Sequence, residues 1–159
     1  MTLAEQVIAK IQTIPAGMKL SPDGTQFVMQ TRAEQIASGT LTVDTIRAQK
    51  KQAVDSYRAS RIESHTVTYQ GNAYSADSEM QGILAGILAL GALPSGFVMR
   101  TTANASVTVA LDDVKAIAAL VASTIQSIYQ FSWAVKAQID GMTDAVTIDN
   151  FDIAAQNWP

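Results

Sequence analysis

Apolar residues recur at helical spacing most persistently over positions 112–139 of this 159-residue chain. Val114, Ile117, Val121, Ile125, Ile128, Phe131, Val135 and Ile139 follow one another at intervals of three or four, with no Gly or Pro between them. That period, about 3.6 residues, predicts a helix of roughly seven or eight turns. Asp112 and Asp113 stand at its start, where carboxylates suit the exposed backbone N–H groups. Gly141 follows its end, where a left-handed residue can close a helix. The stripe spreads over adjacent a, d and e positions, wide enough to pack on a sheet-and-helix layer of the same chain. Tyr129 and Trp133, one turn apart, lie off the Val114–Val121–Ile128–Val135 line. Two apolar faces need two covers. The layer at 66–93 supplies one; the other is either the chain's own tail, through Phe151 or Trp158, or another protein.

Shorter patterns precede this spine. Leu3, Val7, Ile8 and Ile11 share one helical face, opened by a Thr2–Glu5 capping box and ended by Pro15. So short a helix is marginal in water and must dock on its own domain or on a neighbouring subunit. Ser21-Pro22-Asp23-Gly24 is turn chemistry between short apolar runs and predicts a small hairpin. Thr31 and Glu34 make a second capping box before a helix of one or two turns stopping at Gly39. Residues 42–63 read as a polar helix with a thin apolar line through Val43, Ile46, Val54 and Tyr57. Thr66-Val67-Thr68-Tyr69 and Ala73-Tyr74-Ser75-Ala76 alternate around Gln70-Gly71-Asn72, the pattern of a tight hairpin. Asp77 or Ser78 can cap the next helix, which carries Met80, Ile83, Leu84, Ile87, Leu88 and Leu90 and ends at Gly91 and Pro94. Gly82 and Gly86, four apart, predict close approach of another backbone. A further strand pair, 97–101 with 106–109, leads into the long helix.

These elements predict an α+β fold: small antiparallel hairpins packed on two main helices, one of them long, with a mostly helical N-terminal arm. Sequence texture divides the chain into an arm at 1–62 and a C-terminal domain at 63–159.

Composition narrows the chemistry. Hydrophobic residues make up 48% and charged residues only 16%, below the usual quarter, as suits a protein that lives in an assembly. With no Cys and one His, thiol catalysis, disulfides and multi-histidine metal sites are excluded. The N-terminus lacks the basic region of a secretory signal. The apolar run at 83–93 is about half of what a bilayer span requires, so no membrane partner is expected. Net charge is −3, which gives no general electrostatic case for nucleic acid. Arg47, Lys50, Lys51, Arg58 and Arg61 nevertheless form a basic helix, and the alternative of a nucleic-acid or regulatory binder rests on residues 47–61. There is no phosphate loop or nucleophile elbow. Asp112-Asp113 is read as a capping pair, and Glu63, His65 and Tyr69 lack a nearby nucleophile. No catalytic residue, cofactor or metal is assigned.

One set of motifs points further. Arg58-Ala59-Ser60-Arg61-Ile62-Glu63 leads into Val67-Thr68-Tyr69-Gln70-Gly71-Asn72-Ala73-Tyr74-Ser75-Ala76-Asp77 and the apolar helix. A polar strand pair with Asn104 at its turn follows, then Val107-Thr108-Val109-Ala110-Leu111-Asp112, the Ala-rich helix through Ile128-Tyr129, and Lys136-Ala137-Gln138-Ile139-Asp140. Over about two-thirds of the chain this order resembles a phage domain family of unknown function, found in or beside tail-fibre assembly proteins. The stretch from Asp23-Gly24 to Ser38-Gly39 is similar to the linker before that domain. The chain departs from the family pattern at Phe97-Val98-Met99-Arg100, where a Trp often stands. The resemblance supplies no catalytic residues. It implies a non-enzymatic bacteriophage tail protein acting by protein–protein binding, either a tail-fibre assembly chaperone or a subunit associated with the fibre or baseplate. Its partner would be a tail-fibre or baseplate protein, with homo-oligomerisation an open alternative. Its place would be the host cytoplasm during assembly or the virion tail. The residues expected to meet a partner are Leu3, Val7, Ile8 and Ile11 on the first helix, Tyr129 and Trp133 on the long helix, and Trp158 near the end.

Overall fold

In a computed structural model that describes residues 14–159, turn and capping chemistry sets the order of elements. They are β1 (Met18–Leu20), β2 (Phe27–Met29), α1 (Arg32–Ala37), α2 (Val43–Ser64), β3 (Thr66–Tyr69), β4 (Asn72–Ser75), α3 (Ser78–Leu90), β5 (Val98–Arg100), β6 (Ser106–Thr108), α4 (Leu111–Gly141) and α5 (Ala145–Asp149). The strands form three separate antiparallel pairs, so the fold is α+β. Leu3, Val7, Ile8 and Ile11, with the first expected helix, lie outside the described residues. By contact, residues 14–50 with 142–151 group into one compact unit and residues 51–141 with 152–159 into a second. This grouping is drawn differently from the arm-and-domain division at residue 62, and α2 contributes to both units.

In the first unit, β1 and β2 pair with Leu20 opposite Phe27 and Met18 opposite Met29. The Asp23 carboxylate closes the connecting turn by accepting from the Ser21 and Thr25 hydroxyls, which hold its pKa down to about 2. Thr31 and Glu34 form the expected capping box on α1. Ile46 of α2 and Ile148 of α5 are fully buried. Around them, three basic side chains bind the returning segment. Arg47 donates to the Met142 carbonyl at 2.9 Å, and Lys50 to the Asp149 carbonyl at 2.7 Å and the Phe151 carbonyl at 3.2 Å. Arg32 meets the Asp149 carboxylate at 2.7 Å. Lys50 thereby satisfies carbonyls that the end of α5 leaves without helical partners.

In the second unit, β3 and β4 join through a two-residue turn in which Gln70 and Gly71 both have positive φ, 49° and 77°. Such a turn matches the twist of the strands. Asp77 caps α3 by accepting from the Met80 N–H at 2.8 Å, and Gly91 ends it in the left-handed region at φ 67°. At the start of α4 the Asp113 carboxylate accepts from the Ala110 N–H at 2.8 Å and from the Tyr69 hydroxyl at 2.9 Å. The helix start is thus tied to β3. The core lies where Val67 and Tyr74 of the hairpin, Met80, Leu84 and Ile87 of α3, Met99 of β5, and Val114, Ile117 and Val121 of α4 meet.

Two local expectations are corrected. Gly141 is the last residue of α4 and is not in the left-handed region, so the long helix has no glycine cap of that kind. Gly82 and Gly86 admit no close neighbour: nothing lies within 4 Å of where a Cβ would sit on either. Met80, Leu84 and Ile87 form the buried face of α3, which turns both glycines outward.

Candidate protein-binding surface

The second half of α4 buries Ile128, Ser132, Val135 and Ile139. The Ser132 hydroxyl satisfies itself on the Tyr129 carbonyl at 2.7 Å, which is how a polar group tolerates full burial on this stripe. Two flanks remain, and the two tryptophans divide them. The Trp158 ring lies 5.1 Å from that of Tyr57 and 5.0 Å from that of Phe131, both tilted. Its indole N–H donates to the Ile153 carbonyl at 2.8 Å. Trp158 therefore closes its own chain over Phe131 and Tyr57, and it does not cover the Tyr129–Trp133 face for which the tail was one of the two alternatives. It is engaged at home rather than held out to a partner.

On the other flank Tyr129 and Trp133 come together, ring centroids 6.3 Å apart. The Arg58 guanidinium sits 4.4 Å above the Tyr129 ring, a cation–π contact. Arg58 also meets Asp55 at 2.6 Å, and Lys136 meets the same carboxylate at 2.6 Å. Hydrogen bonding from Lys136, and then the charge of Arg58, hold the Asp55 carboxyl below its ordinary range against the opposing effect of burial. This network fixes Tyr129 from below. Trp133, by contrast, is 54% exposed.

From Tyr129 a groove of about 400 Å³ runs between α3 and α4. Leu84, Ala85 and Leu88 form one wall; Ala118, Val121, Ala122 and Ile125 form the other; no charged residue lines it. Gln81, Ile125 and Tyr129 also border a smaller cavity of about 250 Å³, where Arg58, Glu63 and Ser78 bring polarity. Ile83, Leu88 and Leu90 of α3 are exposed, Leu90 by 71%.

Of the residues expected to bind, the structure brings Tyr129 and Trp133 to one surface and places Trp158 elsewhere. The α3 wall was missed. Its signal was a helix apolar on more than one face, which needs more than one cover. Glu63, His65 and Tyr69 form no relay: the Tyr69 hydroxyl donates to Asp113, which raises its pKa, and Glu63 accepts from the Ser78 backbone N–H at 3.4 Å. Among the described residues no group of three or more His, Cys, Asp or Glu is placed to hold a metal ion. No helix there is long and apolar enough to cross a membrane.

A family model described as a domain of unknown function (DUF4376) matches residues 45–155, from the first turn of α2 to beyond α5. Neither a curated protein nor a solved structure matches the chain.

Proposed function

The chain belongs to the DUF4376 family, and from that footing we propose that it is a non-enzymatic bacteriophage tail protein that works by binding other proteins. It serves as a tail-fibre assembly chaperone or as a subunit associated with the fibre or baseplate. The observation that carries the binding role is the apolar α3–α4 groove, lined by no charged residue, with the half-exposed Trp133 beside Tyr129 at its end. Burying such a surface on a partner is favourable at about 25 cal/mol per Å² of apolar area. The tail setting is supported by the sequence resemblance alone.

Mass spectrometry of purified virions, paired with fibre solubility in infections lacking the gene, tests the proposal. A virion subunit is found in the particles. A chaperone is absent from them, and the fibres then fail to fold without it. A protein absent from virions and dispensable for soluble fibres would sink both roles.

A further inference from the structure

The two hairpins of the second unit begin to join into one sheet and then part. Three backbone bonds establish which groups face outward. Ala76 N–H donates to the His65 carbonyl, and Thr101 N–H to the Ala105 carbonyl. In an antiparallel ladder, bonded and non-bonded pairs alternate. Given the registers of Val67 opposite Tyr74 and Met99 opposite Val107, the backbone groups of Ala73 and Ser75 face away from β3, and those of Val98 and Arg100 away from β6. The third bond agrees: Thr102 N–H donates outward to the Ala73 carbonyl at 2.9 Å. The next pair of a β4–β5 ladder would be Ser75 with Arg100, and there β4 and β5 are not paired.

At that point a cleft of about 260 Å³ opens. Ser75, Val98 and Arg100 are on its walls, and Met80, Ile83 and Phe97 supply apolar surface. Val98 is 41% exposed. The walls therefore present backbone donors and acceptors at strand spacing beside an apolar lining. A helix has no use for the first, because its own backbone groups are internally paired. An extended polypeptide uses both, pairing its main chain and seating alternate side chains.

We infer that the split between β4 and β5 takes an extended segment of a partner protein, which adds as a strand and places an apolar side chain against Met80 and Ile83. This rests on the reading of the chain as a protein-binding protein and names the form of the segment bound.

The probe is a library of random linear peptides displayed on an unrelated scaffold, selected on the full chain and followed by titration of the synthetic winner. Val98→Pro removes an outward N–H and leaves the β5–β6 bonds in place, since proline is tolerated at edges. Thr108→Pro does the same on the far edge of β6. The selected peptides should alternate apolar residues and bind Val98→Pro more weakly by about tenfold or more, with Thr108→Pro unchanged. The Val98 and Arg100 amides should also exchange more slowly with solvent when the peptide is bound, a readout that does not depend on either variant folding. No enriched peptide, equal loss in both variants, or unaltered exchange at Val98 and Arg100 overturns the inference. Because the probe is a peptide and not a fibre, these outcomes are independent of the virion experiment.

Discussion

An indole half in water and an indole stacked on its own chain answer truncation differently. Trp158 touches Tyr57 and Phe131 and donates to the Ile153 carbonyl. Trp158→Ala should lower stability by about 2–3 kcal/mol, somewhat under the cost of a fully buried aromatic because the ring is only partly covered. Trp133 is 54% exposed beside Tyr129. Trp133→Ala should change stability by about 0.5 kcal/mol or less while weakening self-association or partner binding. Thermal denaturation and sedimentation of both variants separate the cases. A large fall in melting temperature for Trp133→Ala, with association unchanged, would assign Trp133 to the monomer's own core. Heptad position alone put Tyr129 and Trp133 off the main stripe, and that was legible from spacing. The fate of Trp158 was not, because Tyr57, one of its two aromatic neighbours, stands 101 positions before it in the chain.

Helix ends were the most readable elements, since a cap is written within four residues. Thr31 with Glu34 and the Asp77 cap of α3 stand as the sequence indicated. Gly141 and the Gly82–Gly86 pair did not, because what lies against a glycine depends on the packing of the whole helix and not on local spacing. The Asp77 cap gives a measurable consequence. Hydrogen bonds from the Met80 N–H and then the Ser75 hydroxyl hold its pKa below the ordinary 3.8. A carboxylate with a depressed folded-state pKa contributes stability that is fully present above its unfolded value and lost as pH falls through the folded one. Asp77→Ala should therefore cost about 1 kcal/mol near neutral pH. In melting curves taken across acid pH, the gap to the parent should hold above the ordinary aspartate value and narrow below it. A gap that widens on acidification would contradict this account of the cap.

Across the molecule, charge decides between the two classes of partner. Five of the eleven basic residues cluster on α2, and from sequence alone they offered a surface for phosphate. The structure gives each of them a partner. Arg47 and Lys50 bind backbone carbonyls of residues 142–151. Lys51 meets Asp140 at 2.9 Å, Arg58 meets Asp55, and Arg61 donates to the Pro159 carbonyl at 2.7 Å. Lys51 and Asp140 are 89 positions apart, which is why composition could register the basic helix but not its neutralisation. A protein that neutralises Z phosphates loses affinity with a log–log salt slope of about −0.9 Z, so six contacts would cost roughly a thousandfold between 50 and 200 mM. Cations already engaged within the chain cannot release counterions from a nucleic acid without giving up those bonds. Fluorescence anisotropy with labelled duplex DNA and single-stranded RNA at the two salt concentrations should accordingly show no salt-sensitive binding. A steep salt slope that Lys51→Ala and Arg58→Ala both flatten would transfer the function to the basic face of α2.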